Sequence, residues 1–300
     1  MIKVLFSGGL GNQMFQYAFY LWLKKNYSQI RILADLTPYK STEFHTGFEL
    51  ERIFQIKLPQ KSLKEKYNLI EKYYYKILFR INTMLIFNGI SKYKILQGND
   101  PSFNKDILHI NKHKCYYMQG VWNSPLYFRG VEDEIKQSFK FDDNLSPSNL
   151  KIQNLIYSHD SISIHVRRGD YLNSTYVTLS ETDYYKKALD FLIKKLDNSN
   201  NIFIFIFSDD AEWCKRNFSF LNEYNHIYIT QNSGKNSFRD MQLMSLCKYN
   251  IIANSTFSWW AAWLNSNKEK LIICPKSYFI YRNYNEKFLK YHYPKEWILI

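Results

Sequence analysis

The sequence predicts an α/β protein built on parallel sheets with helices covering both faces, and three observations lead there. Apolar runs of strand length alternate with helical patterns along the second half of the 300-residue chain. The chain opens with a strand, a glycine turn and a helix, the same grammar in shorter form. A hydrophobic content of 46% with 18% aromatic residues is enough for packed cores, and the length suits two domains of ~150 residues each.

In chain order, Ile2–Phe6 reads as a strand, Asn12–Lys25 as a helix and Ile30–Ala34 as a strand. Leu63–Phe87 is aromatic, lysine-rich and helical, with Tyr67, Ile70, Tyr74, Ile77 and Ile81 on one face. That stripe is expected to pack into a core or against another helix rather than lie on a membrane. Asp142–Asn149 is polar and proline-interrupted, a linker by composition. Beyond it, Ser161–Val166 reads as a buried strand, and Ser180 with Asp183 as a capping box. The following helix carries Tyr185, Ala188, Leu189, Leu192 and Leu196 on one face. Strands then fall at Ile202–Phe207, Ile227–Thr230, Ile251–Ala253 and Leu271–Cys274, with helices between them. The expected division is 1–145 as a first α/β domain and 150–284 as a second, with 285–300 returning to pack on the first.

Several function classes drop out. No window approaches the ~18 consecutive apolar residues of a membrane helix, and M-I-K-V-L-F has none of the zones of a signal peptide. A cytoplasmic protein is expected, with a peripheral seat at the inner membrane face as the alternative. Cys115, Cys214, Cys247 and Cys274 stand far apart, which suits reduced thiols better than disulfides or zinc. The net charge of +13 is mostly lysine and speaks of partners and solubility, not of fold. No nucleic-acid module accompanies it, so no nucleic-acid partner is expected. His109 and His113 enclose no acid in the H-E-x-x-H manner, and no serine stands in G-x-S-x-G.

Four segments carry groups fit for chemistry. S-I-S-I-H-V-R-R-G-D-Y ends a strand with His165, Arg167, Arg168, Asp170 and Tyr171, and the carboxyl ends of parallel strands are where ligands bind. Alternation sets His165 and Arg167 on one face and Arg168 on the other. One guanidinium fork can therefore meet a phosphate while its neighbour pairs with a carboxylate. G-G-L-G-N-Q, with Gly9, Leu10, Gly11, Asn12 and Gln13, joins a strand to a helix and offers backbone N–H groups and two amides to an anion or sugar. Its spacing fits neither the dinucleotide fingerprint nor the P-loop. Asp209 and Asp210 follow a strand and suit a base, a ribose or a metal, although D-D is not D-x-D and no metal is expected. Asn254, Ser255, Thr256, Phe257 and Ser258 open a helix as a diphosphate cradle.

Taken together, G-G-L-G-N-Q-M-F-Q-Y-A, H-V-R-R-G-D-Y, S-D-D-A-E-W-C and I-I-A-N-S-T-F-S-W-W-A-A-W-L resemble, in order, the α-1,2-fucosyltransferases of glycosyltransferase family 11, which includes the blood-group H and Secretor enzymes. The resemblance implies a GT-B-type fold, two Rossmann-like domains facing across a cleft. It implies a GDP-fucose donor in the second domain, inversion without a metal or other cofactor, and a galactose-terminated or lipid-linked glycan as acceptor. It maps His165 and one of Asp209 or Asp210 to the nucleoside and Arg167 to the β-phosphate. Thr256, Phe257 and Ser258 fall along the diphosphate, with Asn12 reaching towards the donor. Asp170 and Glu181 are the two candidates for the general base. Another GDP-sugar, another linkage, or binding without turnover are the alternatives.

Overall fold

A strand that returns through a helix re-enters its sheet parallel to the strand it left. The computed structural model follows this rule in two units, Met1–Phe141 and Asp142–Ile300. It describes residues 1–41, 46–59, 69–88, 92–98, 102–196 and 201–300.

In the first unit β1 (Ile2–Leu5), β2 (Ile32–Asp35), β3 (Tyr93–Gln97) and β4 (Cys115–Gln119) make a parallel sheet in the order β2-β1-β4-β3. The helices are α1 (Leu10–Asn26), α2 (Pro38–Ser41), α3 (Leu50–Phe54), α4 (Leu69–Phe87) and α5 (Glu132–Ser138). Helix α1 buries Met14, Phe15, Ala18, Phe19 and Leu23, and Phe19 stacks on the buried Trp122 with ring centroids 4.0 Å apart. Strands β3 and β4 are additions to the sequence reading: Y-K-I-L-Q and C-Y-Y-M-Q are short and nearly free of β-branched residues.

Helix α4 corrects one expectation outright. Its apolar stripe faces water: Ile70 is 82% exposed, Tyr74 57%, Ile77 39% and Ile81 45%. Tyr67 and the start of the stretch lie outside the described residues.

The second unit contains β5 (Asp160–Val166), β6 (Ile202–Ser208), β7 (Asn225–Ile229), β8 (Tyr249–Ile251), β9 (Ile272–Cys274) and β10 (Ile298–Leu299). All are parallel, in the order β10-β9-β8-β5-β6-β7. Helices α6 (Pro147–Ser158), α7 (Tyr184–Lys195), α8 (Ala211–Asn217), α9 (Phe238–Leu246), α10 (Thr256–Leu264) and α11 (Arg282–His292) complete it. Ile162, Ile164 and Val166 of β5 are 0% exposed, as a central parallel strand requires, and each such burial contributes about 1.5–3 kcal/mol.

Three local readings change. The linker ends early, because Ser146 caps α6 and Pro147 takes its first turn, where the missing N–H costs nothing. Helix α7 starts at Tyr184 after a 3₁₀ turn at Leu179–Glu181; Thr182, not Ser180, accepts the first free N–H, from Tyr184 at 3.2 Å. The last residues, expected to pack on the first half, belong instead to the second sheet. Ile300 N donates to Cys274 O at 3.0 Å, and Trp297 packs on Trp259 at 5.3 Å. Phe288, His292 and Trp297 are buried there. The four cysteines are free thiols, Cys214, Cys247 and Cys274 fully buried.

Candidate active site

Three of the four segments meet because their strands are neighbours. β8, β5 and β6 lie side by side and run the same way, with Ile164 beside Ile251 and Val166 beside Ser208. The loops at their carboxyl ends, 167–171, 209–210 and 254–258, therefore open on one edge of the sheet.

At that edge two adjacent arginines are held by four carboxylates. Arg167 donates from Nε to Asp170 Oδ1 at 2.8 Å, and its Nη1 stands 3.2 Å from Asp209 Oδ2. Burial works against the charge of Arg167, but Asp170 and Asp209 more than offset it, so the guanidinium pKa is raised. Arg168 turns the other way, as alternation predicts. Its Nη1 donates to Glu181 Oε1 at 3.1 Å, Nε stands 3.3 Å from Asp210 Oδ2, and its guanidinium lies 4.3 Å above the Trp213 ring. The Arg168 side chain is 13% exposed and that of Arg167 30%. Arg167 is the more exposed of the two.

Asp209 is the knot of the cluster. Besides Arg167 it accepts the backbone N–H groups of Arg168 at 2.9 Å and Gly169 at 3.1 Å. A side chain at position 169 would press on Asp209 Oδ2 at 3.0 Å, which accounts for the glycine. Asp210 caps α8 through Trp213 N at 3.1 Å. Both acids thus fix the loop that carries the arginines.

His165 is 6% exposed, and its Nδ1 has no hydrogen-bond partner within the protein. Burial, with help from Arg167, lowers its pKa to about 3, so the imidazole is neutral at physiological pH. Phe257 lies against it at 5.7 Å. Tyr171 joins the loops: its hydroxyl donates to Asn254 O at 2.9 Å, and Arg167 sits 5.9 Å over its ring. Within 254–258 the side chains divide. Asn254 donates from Nδ2 to Val177 O and Tyr278 O, and Ser258 is fully buried and donates to backbone carbonyls. Ser255 caps α10 through Phe257 N at 3.3 Å, leaving Thr256 and Phe257 as the half-exposed members.

The glycine segment lies in the first unit and is built differently. Gly8 has φ +81°, a left-handed value that favours glycine, and Gly9 occupies the cap position of α1. Leu10 and Gly11 are buried and Asn12 half-buried. Gln13 is fully buried: its Nε2 donates to Gly8 O and Gly47 O, and its Oε1 accepts from Glu49 N at 2.8 Å. Its amide shapes the loop from inside.

Sequence reasoning did not single out Trp213 as the seat of Arg168, or Asp240. Asp240 lies in the first turn of α9; burial pushes its carboxyl up to about 7, while a 2.8 Å bond from Asn232 pulls the other way. That displacement comes from burial and is visible only in three dimensions. Among the described residues no three His, Cys, Asp or Glu side chains gather as a metal-ligand set.

Against known proteins, residues 1–300 match the Glycosyl transferase family 11 model. The chain is 30% identical over 289 residues to an alpha-1,2-colitosyltransferase of Escherichia coli, covering 91% of this chain and 90% of that one. It is 30% identical over 298 residues to the Escherichia coli O-antigen biosynthesis glycosyltransferase WbnK, covering 92% and 94%. A shorter match, 32% over 109 residues, is to the Bos taurus galactoside 2-alpha-L-fucosyltransferase SEC1, at 34% and 28% coverage.

Proposed function

The chain belongs to glycosyl transferase family 11, and from that premise we propose that it moves L-fucose from GDP-β-L-fucose to the 2-hydroxyl of a terminal β-galactoside. The transfer inverts the anomeric carbon, forms an α-1,2 linkage and uses no metal. Its place is the building of a surface glycan, in keeping with the name of the WbnK relative.

The observation that carries this reading is the setting of Arg167. Two carboxylates and an aromatic ring hold it, and it is the more exposed of the pair, at the strand-end edge beside a neutral, buried histidine. As the bond to fucose breaks, negative charge builds on the β-phosphate of the departing GDP, and a fixed guanidinium stabilises it without reorganising. Metal independence is supported by the engagement of Asp170, Glu181, Asp209 and Asp210 with arginines, which leaves no bare carboxylate cluster in the loop. Neutral His165 offers one donor and one acceptor to the donor substrate. Thr256, Phe257 and the N-terminus of α10 line the diphosphate.

Asp170 takes the proton of the acceptor hydroxyl. In the resting structure Asp170 is bonded to Arg167 and Glu181 to Arg168. Asp170→Asn should lower kcat by about 10²–10⁴-fold, with Glu181→Gln close to wild type. The reverse order would assign the base to Glu181.

The direct test is incubation with GDP-fucose and a panel of galactosides, with and without EDTA, followed by linkage analysis. Absence of transfer to every terminal galactose, or an absolute requirement for Mn²⁺, would sink the proposal. The colitosyltransferase relative favours a second reading, in which colitose takes the place of fucose on the donor. Competition between the two GDP-sugars separates them.

A further inference from the structure

Helix α4 places large apolar side chains in water. Leu69 is 83% exposed, Ile70 82%, Tyr73 68%, Tyr74 57%, Ile77 39%, Ile81 45% and Met84 56%. At ~100° per residue these seven fall on one face, which single exposed hydrophobics on an ordinary surface do not. The other face, with Tyr75, Leu78 and Phe79 half-buried, belongs to a helix that packs on α2 and β3.

The charges beside the stripe share one sign. Exposed Lys76 and Arg80 flank it four residues apart, and Lys40 of α2 lies 5.1 Å over the Tyr75 ring. Lys92 and Lys94, at the next strand, are exposed. From position 61 to 94 the sequence has eight Lys or Arg (61, 64, 66, 72, 76, 80, 92, 94) against Glu65 and Glu71. Among the described residues no helix is long and apolar enough to cross a membrane. Apolar side chains on one face, tyrosines among them and cations along the margin, are what a helix needs to lie in a lipid–water interface: hydrocarbon below, phenols at headgroup depth, ammonium and guanidinium groups on the phosphates.

We propose that the outer face of α4 docks the protein on an anionic lipid bilayer, with Ile70, Tyr73, Tyr74, Ile77, Ile81 and Met84 entering the interface and Lys76 and Arg80 pairing with lipid phosphates. A second copy of the chain fits the same face poorly. Two such faces would bring four cations together, and Glu71, the helix's one acid, lies round the helix from the stripe.

Flotation of the full-length chain with vesicles of phosphatidylcholine alone, or mixed with phosphatidylglycerol, tests this without any reference to sugar transfer. Binding is expected to the anionic vesicles and to fall with salt. Ile77→Asp with Ile81→Asp should abolish it, and so should the milder Ile70→Ser with Tyr74→Ser. Both pairs are exposed, so the thermal midpoint should hold. Lys76→Gln with Arg80→Gln should weaken binding about fivefold per charge. Lys186→Gln with Lys187→Gln, an equal charge change on α7, should leave it unaltered. Wild-type binding by the aspartate pair, or equal loss in the α7 control, overturns the proposal. So does a chain that ignores anionic vesicles and is instead a dimer made monomeric by the aspartate pair.

Discussion

The two sheets end in loops made on opposite plans. In the second unit, the loops after β5 and β6 are built from charges: two arginines, four carboxylates and two backbone N–H groups hold one another, and the arrangement leaves Arg167 part-exposed. In the first unit, the loop after β1 is built from amides turned inward. Gln13 and Gln16 are both fully buried and bond backbone at residues 7, 8, 47, 49 and 120. A charged loop stays near water and offers a side chain to a ligand. An amide-stitched loop offers its backbone and its shape.

That contrast breaks or holds on substitution. Arg167→Lys should have the largest effect. A lysine's point charge cannot bridge Asp170 and Asp209 while facing a phosphate, so transfer should fall by about 10²–10³-fold, or about 2.7–4 kcal/mol, in a protein that melts normally. Steady-state kinetics and a melting curve together decide it; an inactive variant with a lowered melting temperature would make Arg167 merely structural. Gln13→Met should behave the opposite way. It leaves buried backbone groups at Gly47 and Glu49 short of a bond, at about 1–3 kcal/mol for each group, and urea midpoints should drop. A stable Gln13→Met that loses affinity for the donor would show instead that this amide reaches the substrate.

How much of this was legible in the sequence follows from how local each feature is. Val166 and the residues after it reveal a strand end carrying arginines because the pattern lies within seven residues. The pairing of Arg167 with Asp209 and Arg168 with Asp210 was not legible, since it depends on β5 and β6 being neighbours, a fact spread over forty residues of chain. The spacing of Ser180 and Asp183 suggested a cap, but the nearer hydroxyl of Thr182 took the Tyr184 N–H. Periodicity found the stripe of α4 and gave its direction wrongly, because spacing fixes which residues share a face and not what that face meets. Asp240 belongs to no motif. Its displaced carboxyl is a product of burial, which composition does not encode.

Within the charged loop the two arginines should differ. Arg168→Lys loses the fork between Glu181 and Asp210 and the flat stack on Trp213, so stability should fall by about 2 kcal/mol while transfer persists at saturating donor. Equal kinetic damage from Arg167→Lys and Arg168→Lys would erase the division between them.

The smallest effect expected concerns Asp240, an acid bonded by an amide instead of a guanidinium. Asp240 accepts from Asn232, and burial pushes its carboxyl up to about 7. The unfolded value is about 3.9, so between these limits the folded protein binds more protons than the unfolded chain, and stability falls as pH rises. The contribution is complete below about pH 4 and gone once pH passes through about 7. With allowance for solvent around a half-buried group, the change is on the order of 1 kcal/mol. Urea unfolding at a series of pH values should show this slope in the wild type and its flattening in Asp240→Asn, whose neutral side chain keeps an acceptor for Asn232. Arg-paired Asp209 should behave oppositely in kind: its replacement by Asn removes the partner of Arg167 and of two backbone N–H groups at every pH. An unchanged slope in Asp240→Asn would mean that the carboxyl is solvated, and that amide and guanidinium partners leave the acids of this edge alike.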